Sequence, residues 1–513
     1  MSPWTISPST ADSRSIDSLS AVEDASLAPP RKPRSLALHM RRIRSPATLI
    51  ALGLSLSLAS CAVGPDFVSP APPDVERFTP EPTASRGGGQ LFREGAEVSA
   101  RWWQAFGSKS LDDLVEEALG RNPTLEAADA AVRVAQSNAF AGSGAFFPQV
   151  SLGSNSSYNL VSGDATNSTV LQTPYSYFTK QVQISYTLDI WGANARNVES
   201  LDALRDQQIY RKQAAHLTVA ANVVKAAIEE ASLRGQIAAT RRVVALEEEH
   251  LALLQRQLNY GAAANADILS QQTVIEQARQ TLPALESRLA QQRNLLTALA
   301  GRYPSDEVDA TFALAQFSAP RDLPLSLPSR LVAQRPDIKG AEANLHSASA
   351  LIGVAVAARL PNVTLSANGL TSAFQLAQLF QPGTFGYTLA GNIAQTAFDG
   401  MTLYNKQKAA EASFDQAKAQ YRDTVVKAFQ NVADALRALQ SDARSVQSAR
   451  VAERTAKSYL ETVRLRLKFG FVSQLAVVDA QRAYLAAANV RIQSEAQRLT
   501  DTVALFVALG GGW

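Results

Sequence analysis

The sequence predicts an α+β fold made of two copies of one unit. Three observations carry this. Two distant stretches align without gaps. Four segments alternate small polar and apolar residues with almost no charge. Two long stretches lack proline and have room for helices far longer than those of globular domains.

The repeat sets the architecture. NPTLEAADAAVRVAQSNAFAGSGAFFPQVSL begins at Asn122 and RPDIKGAEANLHSASALIGVAVAARLPNVTL at Arg335, an ungapped offset of 213. This superposes Pro123 on Pro336, Leu125 on Ile338, Ala128 on Ala341, Pro148 on Pro361 and Leu152 on Leu365. Further on, LNYGAAANADILSQQ matches LKFGFVSQLAVVDAQ at an offset of 209, pairing Gly261 with Gly470, Gln272 with Gln481 and Gly301 with Gly510. The expected boundaries are 106–301 for the first copy, 302–334 for a linker and 335–513 for the second.

Taken in chain order, the first feature is the apolar run Ala47 to Ala59, ATLIALGLSLSLA. It is too short to span a bilayer but suits a signal-peptide core, and Arg41-Arg42-Ile43-Arg44 is its basic flank. Met40 stands directly before that flank, so residues 1–39 are expected to be an over-called extension and 40–60 the signal peptide. Leu58-Ala59-Ser60-Cys61 then resembles a bacterial lipobox. Small residues admit an extended backbone to a peptidase, and the Cys61 thiol is the nucleophile that takes the lipid. A diacylglycerol thioether and an N-acyl chain on Cys61 are therefore the expected covalent lipid, which accounts for a single cysteine in an oxidising compartment. Ala62 rather than Asp at the next position favours outer-membrane sorting, by resemblance to known lipoproteins. Residues 61–105 are rich in Pro and Gly as far as residue 100 and read as a tether with little core of its own.

Each copy then reads helix, strand, strand, long helix, tight turn, helix. The first helices (123–145 and 336–358) end at Pro148 and Pro361. Val150, Leu152, Tyr158 and Leu160 alternate with Ser151, Asn155, Ser157 and Asn159. After a loop at 162–174, Phe178, Val182, Ile184, Tyr186 and Leu188 alternate with Thr179, Gln181, Gln183 and Ser185. The second copy supplies Val363, Leu365 and Ala367, then, after a loop at 372–384, Phe385, Tyr387, Leu389 and Ile393. Lys180 is the main charge. This period of two fits a half-buried strand, and equally a barrel strand with lipid on one side and water on the other. Gly192 to Leu258 and Gly400 to Leu467 contain no proline and allow helices of roughly 100 Å. Val425, Phe429, Val432, Leu436, Leu439, Ala443 and Val446 keep coiled-coil spacing, as do Leu282, Leu285, Leu289, Leu296 and Leu299. Pro283 should kink its helix. Glycine at 261 and 470 suits a helix reversal that needs positive φ.

Four strands cannot close a membrane barrel, because the smallest single-chain barrels have about eight, and lipid tolerates no open sheet edge. The strands therefore form a soluble sheet or are pooled by several chains, and three chains would supply twelve.

Composition excludes other classes. The net charge of +3 sits beside a cluster of six basic residues before the apolar run, so nucleic acid is not an expected partner. One cysteine and four unclustered histidines (His39, His216, His250, His346) offer no metal site. No nucleophile elbow, phosphate loop or partnered carboxylate pair is present, so no enzyme is expected. Glu247-Glu248-Glu249 reads as a solvated helix-surface run.

The lipobox followed by AVGPDFVSP, together with WWQAFGSKSLDDLVEEALGRNPTLEAADAAV, YTLDIWG, RPDI and the FG-x-x-S-x-L-x-V-V-D-A-Q turn, resembles the outer membrane factor (TolC-like) family, NodT-type efflux lipoproteins in particular. The resemblance covers residues 61–513. It implies an α+β membrane protein: a homotrimeric 12-stranded outer-membrane barrel, four strands per chain, continuing into a periplasmic α-helical barrel. It implies the exit duct of a tripartite efflux system, with a periplasmic adaptor and an inner-membrane pump of the resistance-nodulation-division type as partners. By the same resemblance, Asp267 and Asp479 form rings at the periplasmic gate, able to select cations. Tyr260, Gly261, Phe469, Gly470 and Ser473 form the tips that meet the adaptor. Pro148, Gly192, Pro361 and Gly400 mark strand–helix junctions. Ala476 and Ala264 replace polar residues of many relatives, and Leu258 and Leu467 stand at tip positions, which shifts the expected closure toward apolar packing. A type I secretion duct shares this architecture, but often lacks a lipobox. A lipid-anchored coiled-coil scaffold would leave the four strands unexplained.

Overall fold

A computed structural model describes residues 62–81, 86–87, 90–160 and 174–512. Cys61, the signal segment and nearly all of the loop at 162–174 lie outside these residues. Two short strands, β1 (Arg86–Gly87) and β2 (Gln90–Glu94), precede a 3₁₀ turn at Trp102–Phe106. Helix α1 (Lys109–Arg121) follows, burying Leu111, Leu114, Val115 and Ala118 on one stripe. Helix α2 (Pro123–Ser143) starts with proline in its first turn, where no N–H is needed, and Asn122 Oδ1 accepts from the Thr124 amide at 2.9 Å. Strands β3 (Gln149–Asn159) and β4 (Tyr175–Leu188) lead into the 67-residue α3 (Ala193–Asn259), then α4 (Asn265–Arg279) and α5 (Leu282–Leu299). The linker holds β5 (Asp322–Leu325) and α6 (Pro328–Gln334). The second copy is α7 (Pro336–Ala357), β6 (Asn362–Ala373), β7 (Phe385–Ala394), the 67-residue α8 (Thr402–Lys468) and α9 (Gln474–Ala508). Each 67-residue helix is about 100 Å long.

The same element order thus occurs twice, and the chemistry at the joints repeats with it. The residue before the helix-starting proline donates to the last turn of the return helix in both copies: Asn122 Nδ2 to Leu299 O at 2.8 Å, and Arg335 Nη1 to Ala508 O at 2.7 Å. Different side chains satisfy the same orphan carbonyl. One difference is proline 283, which has no N–H for the Arg279 carbonyl. The return path breaks into α4 and α5 there, whereas α9 runs unbroken.

The main hydrophobic core joins both copies to the linker. Trp102 stacks on Phe506 with centroids 5.5 Å apart, and Phe106, Phe312, Leu323, Leu331 and Leu436 are fully buried around them. Of the first heptad series, Val425, Val432, Leu436, Leu439 and Val446 are buried and Phe429 and Ala443 half-buried; of the second, Leu296 is buried and Leu282, Leu285, Leu289 and Leu299 are half-buried.

The tether has no separate core, and it is stitched into the body. Phe67, Phe78, Phe92 and Val98 pack against the main core, and β2 pairs in parallel with β5 of the linker, Leu91 opposite Asp322. The reason lies in its aromatic residues, which bury apolar area between the prolines.

Candidate functional site

The four long strands form one antiparallel sheet in the order β3-β4-β6-β7. Its register fixes two faces. Val150 lies opposite Ile184, Leu152 opposite Val182, Tyr186 opposite Leu365, Val363 opposite Ile393 and Ala367 opposite Leu389. The other face joins Ser151 to Gln183, Gln183 to Asn368, and Asn368 to Thr388. The apolar face is bare: Leu152 is 81% exposed and Leu389 73%. Exposed aromatics flank it at both ends, Phe380 and Phe385 toward the loops, Phe147 and Phe398 toward the helices. Among the described residues, β3 and β7 each leave one edge without a strand partner.

The strand–helix junctions are built alike. Gly192 (φ 72°) caps α3, and the Asp189 carboxylate accepts from the Asn194 and Ala195 amides at 3.0 and 2.9 Å. Asp399 does the same for Thr402 and Leu403 at 3.1 and 2.7 Å. Both place an anion on a helix N-terminus. In the second copy the cap is Met401, at φ 69°, with Gly400 one residue before it.

The tether reaches the first of these junctions. The Val63 amide donates to Trp191 O at 3.0 Å, and a Cβ on Gly192 would stand 2.7 Å from Ala62. Arg196, buried, bonds Asp66 at 2.6 Å, Glu199 at 2.8 Å and the Val63 carbonyl at 3.3 Å. Phe67 stacks on His346 at 4.3 Å. Ala62 is thus held where strands give way to helices.

At the opposite end both helical hairpins turn by the same αL cap. Gly261 N bonds Leu258 O at 2.9 Å and Ala262 N bonds Gln257 O at 2.8 Å; Gly470 N bonds Leu467 O at 2.9 Å and Phe471 N bonds Arg466 O at 3.0 Å. The glycines have φ of 71° and 75°. Tyr260, Phe469 and Phe471 project into solvent at these tips. Ser473 occupies the cap position of α9 without a side-chain cap bond. Asp267 serves its own helix, its Oδ2 accepting from the Ala264 amide at 3.0 Å. Asp479 is exposed in the second turn of α9. On the 209 offset Asp267 matches Ala476 and Asp479 matches Ser270, so the two carboxylates stand at different levels. Leu258 is half-buried; Leu467 packs on Leu460, Val463, Val477 and Ala480 of its own hairpin. Arg256, Arg466 and Lys468 fill the last turns of the long helices, so the tips carry cations beside the aspartates.

The Glu247-Glu248-Glu249 run is not wholly solvated. Glu248 pairs with Arg279, but Glu247 is fully buried. Gln271 Nε2 of α4 donates to Glu247 Oε2 at 2.6 Å, and Gln474 Nε2 of α9 donates to Gln271 Oε1 at 3.1 Å, so the knot joins the two hairpins. Burial pushes the Glu247 carboxyl above the usual carboxylate range, against the pull of Gln271 and of Arg464 and Arg482. A helical periodicity places one residue in three or four inward, which is why a run of three glutamates has one inside.

The family model described as outer membrane efflux protein matches residues 114–302 and 327–511. The chain belongs to that family. The efflux protein is 30% identical over 480 residues to the pyoverdine export outer membrane protein OpmQ of Pseudomonas putida, covering 91% of this chain and 98% of that one. It is 27% identical to the cation efflux system protein CusC of Escherichia coli, covering 91% and 99%. The solved outer membrane channel CmeC of Campylobacter jejuni shares the fold, with a TM-score of 0.80 at 19% identity over 88% of this chain and 95% of that one. The efflux protein is therefore a member of a family of outer-membrane efflux proteins rather than of enzymes.

Three features of the efflux protein escaped sequence reasoning. Asp189 and Asp399 were legible within YTLDIWG and FDG, as acids just before a long helix. Glu247 and the Arg196 latch had no sequence signal, because both depend on what packs opposite.

Proposed function

We propose that three copies close their sheets edge to edge into a 12-stranded barrel, and that the assembly is the exit duct of a tripartite efflux system. The observation that carries this is the four-stranded sheet with one bare apolar face and two open edges. Lipid covers the face, and only closure by further copies removes the edges. The helices would continue the barrel as a periplasmic tube. A periplasmic adaptor would meet the tips at Tyr260, Gly261, Phe469, Gly470 and Ser473, with a proton-driven inner-membrane pump behind it. Lipid on Cys61 suits the docking of Ala62 at the strand–helix boundary, where the inner leaflet would lie. Relatives of similar identity are named for pyoverdine export and for cation efflux, which suits a duct whose cargo is chosen upstream.

On this reading the gate would lie at the tips, with Asp267 and Asp479 as three-fold rings and Leu258 and Leu467 as apolar packing. Single-channel recording in planar bilayers tests it, with wild type beside Asp267→Asn/Asp479→Asn, which keeps the Ala264 cap. Rare, small wild-type openings that become frequent in the variant support a gate at the aspartates. Equal conductance moves the gate to the leucines. An inserted oligomer with no conductance refutes the duct.

A further inference from the structure

The strand register separates more than lipid from water. All carboxylate, ammonium and guanidinium groups of β3, β4, β6 and β7 reduce to one, Lys180, and its register partners Ser154 and Thr371 place it on the apolar face. The opposite face carries mostly amides and hydroxyls, with Gly153, Leu370, Gly386 and Ala390 as its uncharged interruptions. Across its middle run Ser151, Gln183, Asn368 and Thr388, one from each strand. One row further on, Gln181 lies opposite Gly153 and Leu370, its side chain lying across Gly153, where an added Cβ would meet it at 2.9 Å.

We propose that the membrane end of the duct is a charge-neutral, hydrogen-bonding bore that passes polar solutes of either sign and of none. The inference rests on the barrel reading, which turns this face inward. A wall of amides and hydroxyls wets the bore and offers donors and acceptors equally. It sets no fixed potential, because selectivity by charge needs rings of like side chains. The tips, which do carry aspartates, arginines and a lysine, lie the length of a long helix away, about 100 Å. That is many times the Debye length of about 8 Å at physiological salt, so their field does not reach the strands. Any sorting by charge then belongs to the helical part of the duct, from the Asp189 and Asp399 junctions to the tips, or to the partners behind it.

The test is local potential read by thiol chemistry. Gln181→Cys on the polar face and Val182→Cys on the apolar face are made separately in the full-length protein, with wild type, whose single cysteine is Cys61, reacted in parallel as the background. Each is reacted in proteoliposomes with a cationic trimethylammonium and an anionic sulfonate methanethiosulfonate, with rates normalised to free cysteine. The expected result is rapid modification at 181, with cation and anion rates within about threefold of each other at physiological salt, and slow modification at 182. A tenfold preference for either sign at 181, with 182 protected, overturns the neutral bore and leaves the barrel intact. Faster reaction at 182 than at 181 inverts the faces and removes the barrel reading together with this one. A variant Gln181→Asp/Gln183→Cys supplies the internal standard: its introduced carboxylates must raise the cation preference at 183, and no change there overturns the claim that these side chains share one confined bore.

Discussion

Replacing Glu247 by glutamine or by alanine separates two accounts of a buried acid. Gln271 Nε2 bonds both the carboxylate, at 2.6 Å, and the Glu247 carbonyl, at 3.1 Å. Glutamine keeps an acceptor for the first bond, and its amide group faces Gln481, a buried residue of α9. Alanine keeps only the bond to the carbonyl. It loses about 1 kcal/mol of hydrogen bonding and at least about 1 kcal/mol of buried contact and cavity, for a total of about 2–3 kcal/mol. The glutamine variant should stay within about 1 kcal/mol of wild type. The pH dependence has a definite sign. The fold holds a proton that the unfolded chain releases, so stability is fullest below the ordinary carboxylate range and falls as pH rises through the raised folded value. Wild type should therefore lose stability relative to Glu247→Gln between pH 5 and pH 8. His250, which burial pushes down, titrates in both proteins, and the comparison cancels it. Thermal denaturation of the detergent-solubilised protein, at one scan rate and at both pH values, provides the readout. If Glu247→Gln is as damaged as Glu247→Ala at pH 8, the carboxylate is ionised and held by Arg464 or Arg482, and the desolvation argument fails.

Two further outcomes are expected. Gly261→Ala meets open space and carries only the strain of a left-handed alanine, about 1 kcal/mol, whereas Gly301→Ala would also set its Cβ 2.4 Å from the Arg121 carbonyl. Membrane fractions should hold Gly261→Ala near wild-type abundance and little Gly301→Ala; equal abundance would contradict the contact. Gly353→Val would drive a side chain into the Val63 carbonyl, 2.6 Å from the position of Cβ, and Arg196→Met removes the latch on Asp66. Limited proteolysis should then cut between residues 62 and 78 while the helices resist, and unchanged protection would show that other contacts hold the tether.

The sequence by itself determined the periodic features. Alternation of period two set the four strands, the absence of proline set two helices of 67 residues each, and glycine at 261 and 470 set the reversals. These follow from backbone sterics and from which face meets water, and both act over a few residues. The repeat was legible because the two copies keep the same prolines and glycines at their joints. Register was decided by tertiary structure. Only the pairing of β4 with β6 joins the two copies into one sheet. Tertiary structure also buried Glu247 inside a run of three glutamates, because α4 and α9 bring Gln271 and Gln474 to it. It turned a proline-rich tether into a docked strap, because Arg196 and His346 lie far along the chain from Asp66 and Phe67. Short-range patterns specify elements. Partners distant in sequence decide which side chains lose their water, and that loss sets the energies and ionisation of the groups that matter here.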